Sequence, residues 1–390
     1  MSATPQQAPS LQKLILIVDD TPTNIGAISG ALKNFYKTKV ATSGRKALAL
    51  ASAEDKPDLI LLDVMMPEMD GYEVCARLKA DPATREIPVI FLTSQTSADD
   101  ETRGFRVGAV DYVHKPFSPA VVEARVRNHI LLREARAQLA EQLLALNNEL
   151  EMARQIQLSI LPHTVPKLPG LEIAARFVPL ASVAGDFYDF ISIDDKRIGI
   201  LVADVSGHGL PSALIASMLQ VALTVQLAHA SEPARVLSGL NKALCGKFTQ
   251  NFVTAAYVYV DLEKNLMRYA GAGHPPVLQY RAATRKTIEI LENGIVLGMF
   301  DEASYEALEL PIAPGDRFVL YTDGIPEAAN AAGEMYGTGR FMRFIENSYT
   351  LDTNKFADTF LAEIAGWTGQ SGSQSQQDDI TLLIFDFQRS

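Results

Sequence analysis

The chain has 390 residues, with 35 Lys plus Arg against 46 Asp plus Glu, a formal charge of -11 and an apolar fraction of 47%. That balance describes a globular protein of roughly two or three domains, and its acidity, without a long Lys/Arg cluster, argues against a general nucleic-acid binder, since phosphate neutralisation supplies most of that affinity. The start MSATPQQAPS lacks the features of a secretory signal, no apolar run approaches the roughly 18 residues that span a bilayer, and Cys75 and Cys245 are too few for a disulfide framework, so a cytoplasmic setting with no membrane is expected.

Residues 1–12 are polar and expected to be disordered. From 13 to 125, β-branched runs at 14–18, 39–42, 59–62, 89–93 and 110–113 alternate with amphipathic stretches. This alternation predicts an α/β domain with a doubly wound, parallel five-stranded sheet, helices on both faces, and ligands at the carboxyl ends of the strands. No Gly or Pro interrupts the chain between Pro119 and Pro162, which predicts one long helix from 118 to 160, its stretch 126–160 acting as a linker. Leu132, Leu139, Leu146, Ala153 and Ile160 recur at heptad spacing with Leu143 and Leu150 between them, while Arg136 and Gln157 interrupt the seam. Two readings stand: a helix packed along its own domains, or a parallel dimeric coiled coil whose polar positions weaken it and also specify it.

Residues 161–390 turn β-rich, with strands expected at 171–178, 198–205, 252–262, 265–270, 318–322 and 380–387 and helices at 211–230, 232–248 and 355–365. Strands followed by blocks of helix predict an α+β domain of layered sheet and helix. The stretch GQSGSQSQQ at 369–377 reads as a flexible low-complexity segment.

Asp19 and Asp20 follow the first strand and Asp63 ends the third, so three carboxylates meet at one sheet edge. Their mutual repulsion is relieved by a hard cation, and Mg²⁺ suits a few carboxylates completed by water and phosphate oxygens. Thr93 at the end of the fourth strand and Lys115 after the fifth add a hydroxyl and a compact cation for a phosphoryl group, which makes Asp63 the candidate nucleophile. These positions, with Met65-Met66-Pro67-Glu68-Met69-Asp70-Gly71 after Asp63 and Tyr112-Val113-His114-Lys115-Pro116-Phe117 near residue 115, resemble the response-regulator receiver family. The resemblance implies Asp63 as phospho-acceptor, Asp20 as a principal Mg²⁺ ligand with Asp19 assisting, Thr93 and Tyr112 as a switch pair, and a cis bond before Pro116. His114 is read as a surface residue.

In the last domain, Asp186 lies in Ala184-Gly185-Asp186-Phe187, Asp204 leads into Val205-Ser206-Gly207-His208-Gly209, Asp323 lies in Tyr321-Thr322-Asp323-Gly324, and Asp378-Asp379 opens the final strand. Any one of these alone reads as an ordinary turn dipeptide. Together they form an oxygen-only donor set, which selects Mg²⁺ or Mn²⁺ over zinc, and two such ions can align a water-derived nucleophile for in-line attack on a phosphate ester. With Gly271-Ala272-Gly273-His274-Pro275-Pro276 and the approach Met152-Ala153-Arg154-Gln155-Ile156-Gln157, these segments look like the PPM (protein phosphatase 2C-like) family in its SpoIIE-type branch, a β-sandwich flanked by helices. The resemblance implies a catalytic metal-binding set in which Asp186 and Asp204 bridge two Mn²⁺ or Mg²⁺ ions with the Val205 carbonyl, and Asp323 and Asp378 complete one of them, Asp379 being the alternative to Asp378. Ala184 stands where a second glycine is usual, and no arginine is assigned to hold the substrate phosphate. His274 is read as shaping a loop, and His208 is left open.

In order, these parts read as a phosphorylatable switch, a helical connector and a metal-dependent protein serine/threonine phosphatase. The resemblance implies a phosphorylated STAS-domain anti-sigma-factor antagonist as substrate; a sensor histidine kinase is expected as phosphodonor, and the heptad seam, in its coiled-coil reading, gives a homodimer through the linker helix. The competing class is a non-catalytic, phosphorylation-controlled adaptor that binds a sigma-factor or anti-sigma-pathway partner; retention of Asp186, Asp204, Asp323 and Asp378 favours the enzyme. A transcriptional regulator is disfavoured by the acidic balance and the lack of a recognisable helix-turn-helix.

Overall fold

The computed structural model describes residues 13–94, 98–180, 183–248, 250–369 and 378–388. The N-terminal stretch 1–12 and most of the low-complexity stretch, 370–377, lie outside the described residues. Two compact units, Met1–Ala145 and Leu146–Ser390, divide the chain.

The first unit alternates β1 (Leu14–Val18), α1 (Pro22–Leu32), β2 (Lys37–Ala41), α2 (Gly44–Ala51), β3 (Leu59–Asp63), α3 (Gly71–Ala80), β4 (Val89–Thr93), α4 (Ala98–Arg106) and β5 (Asp111–His114) before α5 (Pro119–Ile160) begins. Its sheet has the order β2-β1-β3-β4-β5, all pairs parallel. Successive side chains of a strand point to opposite faces. Leu16, Ile60 and Phe91 therefore pack with Val74, Cys75 and Leu78 of α3 on one face, while Ile17, Leu61 and Ile90 pack with Ile28 and Leu32 of α1 on the other. Val122, Val126 and Ile130 of α5 join that second face, so the long helix starts as part of this core. Asp70 caps α3 by accepting from the Glu73 amide at 2.7 Å.

The second unit contains β6 (Leu171–Val178), β7 (Phe187–Ser192), β8 (Arg197–Val205), α6 (Leu210–Val225), α7 (Pro233–Leu244), β9 (Val253–Asp261), β10 (Leu266–Ala272), β11 (Val277–Arg281), β12 (Lys286–Ile290), β13 (Asn293–Gly294), β14 (Leu308–Pro311), β15 (Arg317–Tyr321), α8 (Thr338–Asn347), α9 (Thr353–Trp367) and β16 (Ile380–Phe387). One sheet runs β13-β10-β9-β8-β7 with β14 on β10, the other β12-β11-β15-β16-β6. Alternation along β15 and β16 builds the layers. Phe318, Leu320, Leu383 and Phe385 enter the core shared with β7 to β10 and with α6 and α7, whereas Val319, Tyr321, Leu382 and Ile384 meet Phe341 of α8 and Phe356 and Phe360 of α9. The result is a two-sheet sandwich covered by helices on both sides.

The helix expected at 211–230 stops at Val225 and gives way to a 3-10 turn at Leu227–His229, and the one expected at 232–248 ends at Leu244. Among the described residues, no helix is long and apolar enough to cross a membrane.

Candidate functional site

The parallel order of the first sheet brings the carboxyl ends of β1, β3, β4 and β5 together, and with them Asp19, Asp63, Thr93 and Lys115. Asp19 is fully buried and accepts from the Thr21 amide (2.8 Å), from Asn24 Nδ2 (3.0 Å to each oxygen) and from Lys115 Nζ (2.8 Å). Lys115 also reaches Asp63 Oδ2 at 2.9 Å, so one ammonium bridges two carboxylates. Burial alone would lower the Lys115 pKa; hydrogen bonds to Asp19 and Asp63 overcome it and hold the ammonium above its usual range. Burial raises the Asp63 carboxyl, with Lys115 opposing.

One oxygen each of Asp19, Asp20 and Asp63 lie within 4.8 Å of one another, with Asp20 exposed, a spacing that suits a hard cation with open positions for water and phosphate. Lys115–Pro116 is cis, as the resemblance implied, and the Lys115 amide donates to the Thr93 carbonyl at 2.7 Å. Thr93 is buried, while Tyr112 is half-buried and packs edge-on against Phe105 and His114. His114 is itself half-buried rather than fully exposed.

In the second unit the acidic residues come from strand ends on both sheets. Asp186 immediately precedes β7, Asp204 is the penultimate residue of β8, Asp323 lies two residues beyond β15, and Asp378 and Asp379 precede β16. Asp186 is 2% exposed, and its Oδ2 accepts from the Thr322 hydroxyl at 2.7 Å and the Thr381 hydroxyl at 2.6 Å. The Thr322 hydroxyl in turn accepts from the Thr381 amide at 2.9 Å, so β15 and β16 close a ring around one carboxylate oxygen. Asp379 has both oxygens engaged by backbone, one by the Leu180 amide and one by the Gly185 amide, each at 2.7 Å. Its neighbour Asp378 is half-buried and accepts from the Asp379 amide at 2.8 Å.

Glycines allow these approaches. A Cβ on Gly185 would sit 2.8 Å from the Val205 carbonyl oxygen, and one on Gly324 would overlap the Asp379 carbonyl. The Val205 end of β8 is fixed by the following residue: the Ser206 amide donates to the Phe252 carbonyl at 3.0 Å and its hydroxyl accepts from the Phe252 amide at 2.9 Å.

Burial dominates the electrostatics, and like charge adds to it. Asp186 is raised well above the usual carboxylate range by burial and then by Asp204. Asp204 is pushed up to about 7 by burial and by Asp323 and Asp378, and Asp323 to about 6 by burial and Asp378. Among the described residues, no lysine or arginine pairs with Asp186, Asp204 or Asp323. Oxygen donors of this kind, Asp186 buried and Asp204 and Asp323 half-buried, match the preferences of Mg²⁺ or Mn²⁺.

The two histidines differ. His208 is exposed, whereas His274 is buried, meets the Thr254 hydroxyl through Nδ1 at 2.9 Å, and is tied through its backbone to the Asn293 side chain. Burial lowers the His274 pKa to about 3, so the ring is neutral. Sequence reading had no signal for Asn24, and it passed over Thr322 and Thr381 although both stand inside the motifs that named Asp323 and Asp378.

The response regulator receiver domain family matches residues 15–127, and the Stage II sporulation protein E (SpoIIE) family matches residues 194–388. A probable cyclic di-GMP phosphodiesterase of Vibrio cholerae is 50% identical over 119 residues, 30% of this chain and 27% of that protein. Phosphoserine phosphatase RsbU of Bacillus subtilis is 31% identical over 189 residues, 48% of this chain and 56% of RsbU. The SiaA-PP2C domain of Pseudomonas aeruginosa superposes with a TM-score of 0.58 at 27% identity, covering 64% of this chain and 99% of that one. The chain thus spans less than two thirds of the length of these two curated relatives. With carboxylates at the strand ends of a helix-covered sandwich and half of its length matched, this chain belongs to the Stage II sporulation protein E (SpoIIE) family and carries a response regulator receiver domain ahead of that fold.

Proposed function

We propose that the chain is a two-component response regulator whose output is metal-dependent dephosphorylation of phosphoserine or phosphothreonine on a protein. The observation that carries the reading is the group of buried Asp186 and half-buried Asp204 and Asp323, with which no lysine or arginine pairs among the described residues. Asp186, Asp204, Asp323 and Asp378, with the Val205 carbonyl, would hold two Mn²⁺ or Mg²⁺ ions; Asp379, its oxygens already held by amides, would orient the Gly185 loop instead. When bound, the ions supply Lewis acidity and an activated water for attack on the ester. The ring of Thr322 and Thr381 would fix Asp186 in one orientation, so that no reorganisation is needed at the moment of reaction.

In the receiver, residues 13–125, Asp63 would accept a phosphoryl group from a sensor histidine kinase in the cytoplasm. Asp19 and Asp20 would hold Mg²⁺, Lys115 would pair with the acyl phosphate, and Thr93 and Tyr112 would respond. Residues 126–160 would then connect the receiver to the catalytic domain, residues 161–390. Leu139, Leu143 and Leu146 of α5 are about half exposed (50–56%), which supports a homodimeric coiled coil as the transmitter.

RsbU is named a phosphoserine phosphatase, which supports phosphoserine as the target, and a STAS-domain anti-sigma-factor antagonist would be the protein that carries it. The test is phosphate release from a serine-phosphorylated STAS-domain protein, measured against a phosphoserine peptide of matched sequence. Preference for the folded protein supports the reading; equal rates would remove the STAS assignment, and binding of the protein without turnover would indicate an adaptor.

A further inference from the structure

Gln157 reads in sequence as a polar interruption of the α5 seam, yet it is 6% exposed in the second unit. A buried amide is costly unless its hydrogen bonds are made. Here both are made to one residue: Nε2 donates to the Ala184 carbonyl at 2.6 Å, and Oε1 accepts from the Ala184 amide at 2.9 Å. Ala184 lies outside any strand, so this side chain supplies the pairing that a neighbouring strand would otherwise give. One residue on, the Gly185 amide donates to Asp379 and the Gly185 backbone abuts the Val205 carbonyl; the next residue is Asp186.

We infer that Gln157 is a positioning residue that fixes the Ala184-Gly185-Asp186 segment, and through it the metal affinity of the site, to one rotational setting of α5. The inference rests on the proposed metal-binding role of Asp186. Leu161, just past the helix end, is buried in the sandwich core and Ile160 packs against it, so the last turn is anchored where Gln157 acts. A helix advances about 100° per residue, so a change of rotation by one position would carry the Gln157 amide away from Ala184 and leave two buried backbone groups unpaired. The sandwich therefore senses α5 at a side chain, one turn before the helix ends.

The test uses the full-length protein and the variants Gln157→Met, which keeps length and removes both hydrogen bonds, and Gln157→Glu, which keeps an acceptor for the Ala184 amide but sets a carboxylate oxygen against the Ala184 carbonyl. Mn²⁺ binding is followed by electron paramagnetic resonance of the free ion, and amide hydrogen exchange is measured over residues 183–187 without metal. The expected result is faster exchange in that segment and a Mn²⁺ affinity reduced roughly 10- to 100-fold in Gln157→Met, with a smaller loss in Gln157→Glu. Unchanged exchange in both variants, or faster exchange with a Mn²⁺ titration matching wild type, overturns the inference. If Gln157→Met exchanges rapidly throughout the chain, Gln157→Glu carries the test alone. A wild type whose Mn²⁺ binding equals that of Asp186→Asn, the receiver site alone being filled, overturns the functional proposal itself, whereas binding beyond that level with insensitive variants overturns only the role of Gln157.

Discussion

Removing the Asp204 charge should stabilise the metal-free protein, and the gain should grow with pH. Burial, with Asp323 and Asp378 adjacent, lifts the Asp204 carboxyl from its ordinary 3.8 to about 7. Between those values the native state holds a proton that the unfolded chain has lost, so stability falls as pH rises through the window. At about 1.4 kcal/mol per pH unit the whole window is worth about 4 kcal/mol, of which roughly 3 falls between about pH 5 and about pH 8. For a domain of this size that is roughly 6–12 °C in Tm. The assay is calorimetric unfolding of wild type and Asp204→Asn in EDTA across that range. The variant should lie above wild type at the alkaline end, and the gap should close toward the acid end. Adding Mn²⁺ at about 100 times its Kd for the sandwich should then raise the stability of the wild-type second unit by about 2.7 kcal/mol and leave that unit of the variant nearly unmoved, while the receiver's own cation site responds alike in both. A variant less stable than wild type throughout, or curves that run parallel with pH, would refute the argument that the carboxylates are held together against their own charge.

Three further outcomes are expected. Thr381→Val removes one of two hydroxyl donors from Asp186, so Mn²⁺ affinity in a titration should fall roughly 10- to 100-fold. Gly324→Ala forces a methyl into the Asp379 carbonyl, backbone that cannot yield as a flexible side chain would, and should lower Tm together with metal affinity. Glu at both Leu143 and Leu146 should abolish any effect of beryllofluoride on turnover while leaving basal turnover in place; unchanged regulation in that double variant would remove the coiled coil as transmitter.

Much of the fold is legible because its signals are local. LILIV, LILLD and VIFLT are runs buried on both faces, which a parallel sheet with helices on each side requires. The strands that sequence reading passed over are short or lie at sheet edges, such as β12, whose KTIEI mixes exposed charge with two buried positions, and β14, whose LELP is only half-buried. In α8 the buried anchors Phe341 and Ile345 stand at helical i, i+4 spacing, a signal the sequence does carry, but the helix is only 10 residues long and has Gly339 in its first turn.

The carboxylates were visible through their glycine-flanked settings, but what holds them was not. Thr322 and Thr381 stand 136 and 195 residues from Asp186, and no local pattern records such a pairing. Gln157 carried a misleading signal: a heptad register marks it as a flaw in a seam, whereas its partner is the backbone of Ala184.

The central claim is tested most directly by Mn²⁺-dependent hydrolysis of a phosphoserine protein, comparing wild type with Asp323→Asn, each with and without beryllofluoride at Asp63. The account expects turnover that needs metal, that the substitution abolishes and that beryllofluoride alters. Metal-independent turnover, or turnover that survives Asp323→Asn, would contradict it.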